Sequence, residues 1–254
     1  MSTLLRIAAA QFPVSGSIAR NARYIKAQLE EAAGLGAQVV HFPETALPGY
    51  APNHPTSWET CDWDALDAQT HMICERAACL DLWVVLGSVR SAGRDLPRNC
   101  LQVISSKGQI EGIYDKQRLY AREKRFYSQG AEPLMLDINS VKCGFLICYD
   151  NCYPELYEAY RALGVELIFH SFHNAGNRGA TSIKDLMMAS LMVRAADNRM
   201  WICASNSSKR YSPLPACIVR PDGSTVRARR NRTSLAIDTY PSAKLGWTYD
   251  NSSV

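Results

Sequence analysis

The chain opens strand, helix, strand. Leu5–Gln11 is an apolar run. Ser17–Leu35 carries Ile18, Ala22, Ile25, Leu29 and Ala32 at helical spacing and is stopped by Gly34 and Gly36. Val39–Phe42 is a second apolar run. Two strands joined through a helix favour parallel pairing with a right-handed crossover. That opening predicts an α/β class.

The rest of the chain repeats the pattern with variations. A loop rich in Pro, Gly, Asn and aromatic residues runs from Thr45 to Cys61, a length that is often functional in a compact domain. Asp64–Cys79 reads as a helix and Leu82–Ser88 as a strand. Asn99–Ser105 and Gln109–Tyr114 flank Ser106-Lys107-Gly108 as a hairpin. Leu134–Ile138 and Lys142–Cys148 are strands, Pro154–Leu163 a helix, Glu166–His170 a strand and Ser182–Arg199 a long helix. Trp201–Ser205, Ala216–Val219 and Leu235–Asp238 are late strands. Strands in both alternation and hairpins predict mixed sheets. Many strands with about four long helices suggest two sheets packed together with helices outside. Residues 1–254 read as one domain.

Composition narrows the function. With 47% hydrophobic and 20% charged residues the chain can bury a full core. A net charge of +4 is too small to argue for nucleic acid. Arg227, Arg229, Arg230 and Arg232 cluster after Pro221-Asp222-Gly223 and read as a solvated hairpin or loop. The nine cysteines, an odd number with several in apolar runs, point to free thiols in a reducing compartment. No signal-cleavage pattern and no membrane-length apolar stretch occur. A cytoplasmic protein that does not engage membranes is expected.

Three apolar strands end in reactive groups: Val39–Phe42 leads to Glu44, Gln109–Tyr114 to Lys116, and Gly144–Ile147 to Cys148. Pro154-Glu155 then starts a helix, so Cys148 sits at a sharp strand exit. A free thiol with a pKa of about 8.5 is largely protonated at neutral pH and needs activation. The residues leave two activators open: a histidine, of which His173 is the candidate, or Glu44. In the second case Glu44 takes the thiol proton, and Lys116 with the Tyr149 N–H stabilises an oxyanion. Cys143, Cys148, Cys152, His170 and His173 lack the C-x-x-C spacing of structural zinc, so no metal is expected.

At these positions the chain resembles the nitrilase superfamily of carbon–nitrogen hydrolases, in its amidase- and carbamoylase-like branch. The matching segments are His41-Phe42-Pro43-Glu44-Thr45-Ala46-Leu47-Pro48-Gly49-Tyr50, Tyr114-Asp115-Lys116-Gln117-Arg118-Leu119-Tyr120 and Ile147-Cys148-Tyr149-Asp150 with Pro154-Glu155. The order Glu, Lys, Cys and the spacings of 72 (116 − 44) and 32 (148 − 116) residues fit as well. Glu123, seven residues before Gly130 and ahead of Phe126-Tyr127, matches the second glutamate of family amidases, although Gln129 replaces the usual proline. The resemblance implies a four-layer α-β-β-α sandwich with two mixed sheets, often a homodimer or higher homo-oligomer. It implies that Cys148 forms a thioester with Glu44 as general base and acid. Lys116 and the Tyr149 N–H would hold the oxyanion, and Glu123 would support Lys116. No cofactor is implied.

The substrate is expected to be a small amide or N-carbamoyl compound. A true nitrilase, or a low-turnover relative acting as a binding or assembly partner, is the alternative. Tyr50, Asn53 and His54 in the long loop, with His173 and Asn174, are the candidate substrate contacts. One departure concerns charge: Cys152 stands four residues after the nucleophile, where relatives with carboxylate-bearing substrates often have arginine. Arg118 or Arg178 is the candidate replacement.

Overall fold

The opening strand–helix–strand forms as its spacing predicts. β1 (Leu5–Gln11) leads into α1 (Ile18–Gly34), whose N-terminus is capped by the Ser17 side chain accepting from Arg20 N. The helix ends at Leu35, and Gly36 takes the left-handed turn (φ 74°) into β2 (Val39–His41). α2 (Trp63–Leu80) is capped by Asp62 and returns to β3 (Trp83–Ala92). β1, β2 and β3 are parallel neighbours. The computed structural model describes residues 4–53, 58, 61–175, 178 and 183–241.

The second half repeats the plan. β7 (Val141–Ile147), α3 (Pro154–Ala162), β8 (Leu167–Ser171), α4 (Lys184–Asn198) and β9 (Trp201–Ser205) form another parallel triplet. Antiparallel strands flank each triplet. β4 (Asp95–Ile104) and β5 (Ile110–Asp115) extend the first sheet on one side, and β12 (Ser234–Tyr240) pairs with β1 on the other. β6 (Met135–Ile138), β10 (Cys217–Val219) and β11 (Thr225–Arg227) complete the second. The sheet orders are β12-β1-β2-β3-β4-β5 and β11-β10-β9-β8-β7-β6.

The alternation of strand side chains produces the layers. Leu5, Ile7, Ala9, Val39 and Val85 point between the sheets, where β1 and β2 face β9. Their neighbours Ala8, Ala10, Val40 and Val84 point the other way, onto Ile25 and Leu29 of α1 and Ile73 of α2. Strands buried on both faces read as unbroken apolar runs, which is why they were visible in the sequence. Helices α3 and α4 cover the outer face of the second sheet through Tyr157, Tyr160, Leu191 and Ala195. The result is the expected four-layer α-β-β-α sandwich with two mixed sheets.

Two strand pairings go beyond the sequence reading. β3 runs on to Ala92 and folds back through Gly93 as a hairpin with β4, although Arg-rich residues 90–98 carry no apolar alternation. β11 pairs with β10 around the Pro221-Asp222-Gly223 turn, three residues long and partly exposed. The basic cluster is part of that region and is tied to the body of the protein. Gln11 Nε2 donates to the carbonyls of Arg229 and Arg232 (both 2.6 Å), and Arg230 donates to the Ser212 carbonyl. Among the described residues no helix is long and apolar enough to cross a membrane.

One glycine sets how closely β3 approaches the chain after β2. A Cβ on Gly87 would lie 1.8 Å from the Pro43 carbonyl oxygen and 2.8 Å from Thr45 N, both backbone atoms. Gly87→Ala is expected to destabilise the fold by about 2–3 kcal/mol through this overlap. An unchanged midpoint of urea unfolding would refute that expectation.

Candidate active site

The two parallel triplets bring their strand ends together. Glu44 lies three residues beyond β2, and its N–H donates across the inter-sheet gap to the Phe172 carbonyl just after β8 (3.2 Å). The Ser171 hydroxyl donates to the Phe42 carbonyl (2.8 Å) and lies 2.7 Å from His41 Nε2. Burial pushes the His41 pKa down to about 3, so the ring is neutral. His41 and Ser171 thus join the sheets beneath Glu44.

Lys116 follows β5 directly. Its N–H donates to the Asn99 carbonyl of β4 (2.9 Å), and its carbonyl accepts from Gly130 N (2.8 Å). A Cβ at Gly130 would meet the Asp115 carbonyl oxygen at 2.4 Å, so the chain can return this closely only with glycine. The Lys116 Nζ donates to Glu44 Oε1 (2.7 Å) and Glu123 Oε1 (2.6 Å), and all three side chains are fully buried. Asn99 Nδ2 adds a bond to Glu44 Oε1 (2.8 Å). Glu123 also accepts from the Tyr50 hydroxyl (2.9 Å) and from Tyr120 N (2.7 Å). Glu44 Oε2 is buried and has no hydrogen-bond partner among the described residues.

The charges of this group depend on one another. Burial alone would strip the proton from Lys116, but Glu44 and Glu123 hold its pKa well above the usual ammonium range. Burial raises the Glu44 pKa to about 6, with Lys116 opposing and Glu123 adding to the rise. Burial and the nearby Glu44 charge push the Cys148 thiol well above its ordinary value. A protonated thiol therefore faces a carboxylate poised near neutrality.

Cys148 is partly exposed and occupies a left-handed conformation (φ 45°) where β7 turns into a 3-10 segment, Cys148–Cys152. Such a φ in a residue with a Cβ persists only where the surroundings enforce it. Asp150 supplies part of that restraint. It accepts from Ile147 N (2.9 Å), the Tyr114 hydroxyl (2.8 Å) and Arg118 N (2.8 Å). Burial raises its pKa to about 6 against these bonds. The His173 main chain beside the sulfur opposes the rise of the thiol pKa. The His173 ring stacks on Tyr50, centroids 4.8 Å apart.

A cavity of about 450 Å³ opens above the thiol. Of the candidates read from the sequence, Tyr50, Asn53, Glu123, Cys148, Tyr149, His173 and Asn174 all line it. Asn53 Nδ2 donates to the Ala175 carbonyl (3.2 Å), and Asn174 Oδ1 accepts from Asn206 (2.6 Å). His54 lies outside the described residues. Arg118 is engaged elsewhere, paired with Glu155 at 3.6 Å and stacked over Tyr153, and Arg178 lies over Tyr211. The cationic side chain among the described lining residues is Arg122, which donates to the Pro52 carbonyl (3.0 Å). A larger cavity, about 610 Å³, lies between α1 and α2 with none of these residues in its wall. Among the described residues no group of three His, Cys, Asp or Glu side chains is arranged to hold a metal.

Sequence reasoning missed Asn99, Asp150 and Arg122. Asp150 had a local signal, lying two residues past the thiol and within the strand-exit turn. Asn99 is an ordinary polar residue in an alternating strand, and only its register against Lys116 gives it a partner.

Comparison with known proteins gives the family and the fold. The sequence pattern of the family described as "Carbon-nitrogen hydrolase" matches residues 6–246. The glutamine-dependent NAD(+) synthetase of Xylella fastidiosa is 33% identical over 204 residues, 74% of this chain and 35% of that protein. The chloroplastic omega-amidase of Arabidopsis thaliana is 26% identical over 219 residues, 82% of this chain and 58% of that one. The chain therefore spans 35% of the synthetase's length and 58% of the omega-amidase's. The crystal structure of an amidase from Nesterenkonia sp. has the same fold, with a TM-score of 0.82 at 22% identity over 96% of this chain and 94% of that one.

Removing the ammonium tests the electrostatic description. Lys116→Met leaves two carboxyl groups buried against each other and is expected to cost about 3–5 kcal/mol at pH 8. The Glu44 pKa, already raised by burial, would then lose the opposing ammonium and rise further. Groups raised in this way contribute stability when protonated and lose it as pH increases. The deficit should shrink from pH 8 to pH 5, read by thermal unfolding of both proteins. A deficit that stays constant would sink the description.

Proposed function

The chain belongs to the carbon–nitrogen hydrolase family, and from that premise we propose that it hydrolyses a small amide or N-carbamoyl compound through a thioester on Cys148. The observation that carries the reading is the buried Glu44–Lys116–Glu123 set, in which Glu44 keeps one oxygen unengaged beside a protonated thiol.

The steps balance with the chain's own groups. Glu44 takes the thiol proton as sulfur attacks the amide carbon. The charge developing on the carbonyl oxygen is met by the Lys116 ammonium and the Tyr149 N–H. A single such donor is worth about 2.7–4 kcal/mol in the transition state. Glu44 returns its proton to the departing nitrogen, which leaves as ammonia or an amine. It then takes a proton from water, which attacks the thioester; as the acid is released, Glu44 returns that proton to the Cys148 sulfur. Glu123 keeps Lys116 charged and holds Tyr50 at the cavity wall. The relatives named as amidases favour an amide over a nitrile.

We also read the protein as a homodimer or higher homo-oligomer. Leu186 and Val193, seven residues apart on one face of α4, are 67% and 49% exposed.

The test is ammonia release from a panel of small amides, ω-amides, N-carbamoyl amino acids and nitriles, using wild type and Cys148→Ala, with intact-mass detection of an acyl adduct. Turnover of one class by wild type alone is expected. Silence across the panel, with no adduct on folded protein, would favour a binding or assembly role instead. For the substrate found, kcat/KM should fall as pH drops through about 6, because Glu44 works as a base only when ionised. A profile flat down to pH 5 would remove Glu44 from that role.

A further inference from the structure

Part of the basic cluster read in the sequence lines a cavity that the proposed chemistry does not touch. This cavity measures about 520 Å³ and lies between α4, the segment around Pro213 and Pro215, and the chain at the end of β11. Hollows of about 300–1,000 Å³ are the size that holds a small molecule. It is separate from the catalytic cavity. Ile183 and Met187, at the start of α4, line the cavity above the thiol, whereas Lys184 and Met188, one position further along, line this one. Side chains one position apart on a helix point about 100° apart, so the helix stands between the two.

The charges in the wall are out of balance. Lys184, Arg227 and Arg230 face one carboxylate, Asp185, a net charge of +2 (3 − 1). Among the described residues none of these three cations forms an ion pair. Arg76, Arg90, Arg98, Arg118 and Arg220, elsewhere in the fold, are each paired with a carboxylate. Asp185 has a reason of its own to be there, since it sits in the first turn of α4, where the helix dipole favours an acid. The two guanidinium groups are nonetheless fixed. Arg230 donates through Nε and Nη2 to the Ser212 carbonyl (2.9 and 2.6 Å), and Arg227 through Nε to the Thr225 hydroxyl (2.8 Å). Among the described residues the Arg227 terminal nitrogens and the Lys184 ammonium have no hydrogen-bond partner. Like charges gathered without a counter-charge repel one another, and a bound anion relieves that repulsion.

Two features give the class of that anion. Fixed guanidinium groups suit phosphate oxygens, which they can grip with two N–H groups at once. A phosphate monoester carries about −1.5 to −2 charge at neutral pH, close to the net charge of the wall. The remaining surface is apolar: Met188, Met192, Pro213 and Pro215 lie beside the cations. Methionine adapts its shape to what packs on it, so this surface fits an organic body attached to the phosphate. An inorganic ion would leave it uncovered. We propose that this cavity is a binding site for a phosphorylated small molecule of the nucleotide class, its phosphate against Lys184, Arg227 and Arg230 and its ring on the methionines. The site stands or falls apart from the amide-hydrolase reading, because binding there requires no turnover.

Calorimetric titration of the whole protein with AMP, adenosine, inorganic phosphate and oligothymidylate tests the assignment. AMP should bind saturably, and adenosine and inorganic phosphate, each offering half of the ligand, more weakly. Arg227→Met and Lys184→Met should each weaken AMP binding at least about tenfold, the worth of a hydrogen bond to a charged group. Both side chains are exposed, so the variants should unfold at the wild-type temperature. Asp185→Asn removes a like charge and should strengthen binding about threefold. Arg122→Met, which removes the cation from the catalytic cavity, should leave AMP binding unchanged. Absence of heat at millimolar AMP would overturn the proposal. So would AMP binding that survives Arg227→Met and is lost in Arg122→Met, which would place the nucleotide beside the thiol. Inorganic phosphate binding as tightly as AMP would overturn the nucleotide class. Oligothymidylate binding more tightly than AMP, with a steep salt dependence, would mean a general polyanion surface and would also overturn it.

Discussion

A single ammonium shared by two buried carboxylates governs this site. Lys116 is completely enclosed, and neither it nor its partners could remain charged there alone. The three side chains come from three separate segments: the end of β2, the end of β5 and the turn at Glu123–Arg125. Their mutual attraction specifies how those segments must meet. Much of the neighbouring structure serves the same meeting. Asn99 reaches Glu44, Gly130 lets the chain return beside Lys116, and Tyr50 closes on Glu123.

The sandwich supplies what a shared charge cannot, which is position. Each parallel triplet ends its strands at one edge, and the two edges meet where Glu44 bonds to Phe172 and Ser171 bonds to Phe42. The acid and amine come from the first sheet's side, the thiol from the second. The turn at Cys148 is held from two directions, by Asp150 toward β5 and by Asn151, on the same segment, which bonds to Tyr157 and Ser190 of the outer helices. Opposed restraints of that kind can keep a residue with a Cβ at φ 45°.

The sequence was most legible where one physical signal dominated. Buried parallel strands gave unbroken apolar runs, and reactive residues at their ends stood out against them. Glu44, Lys116 and Glu123 meet beside Cys148, and Tyr50, Asn53, His173 and Asn174 line the cavity that Cys148 and Glu123 open onto. What stayed hidden depended on pairing between distant segments. Asn99 acquires meaning only from the β4–β5 register, and β11 is too short and too polar to announce itself. The missing cation was sought at Arg118 and Arg178, which stack on tyrosines. Arg122 occupies the cavity wall because the turn beginning at Glu123 fixes its backbone there.

The closure of the first sheet has a consequence for how the thiol acquires its chemistry. β1 is bordered on one side by β2 and on the other by β12, whose residues pair with it across more than two hundred positions of chain, as Leu5 does with Tyr240. Contacts that distant form slowly, because a long loop must close before they contribute anything. Until the two sheets dock, Cys148 has neither Glu44 nor Lys116 nearby and is one thiol among nine. On the proposed mechanism, its reactivity is a late product of folding. A half-assembled chain would carry an ordinary cysteine, and only the finished sandwich would set that cysteine against a carboxylate and an ammonium.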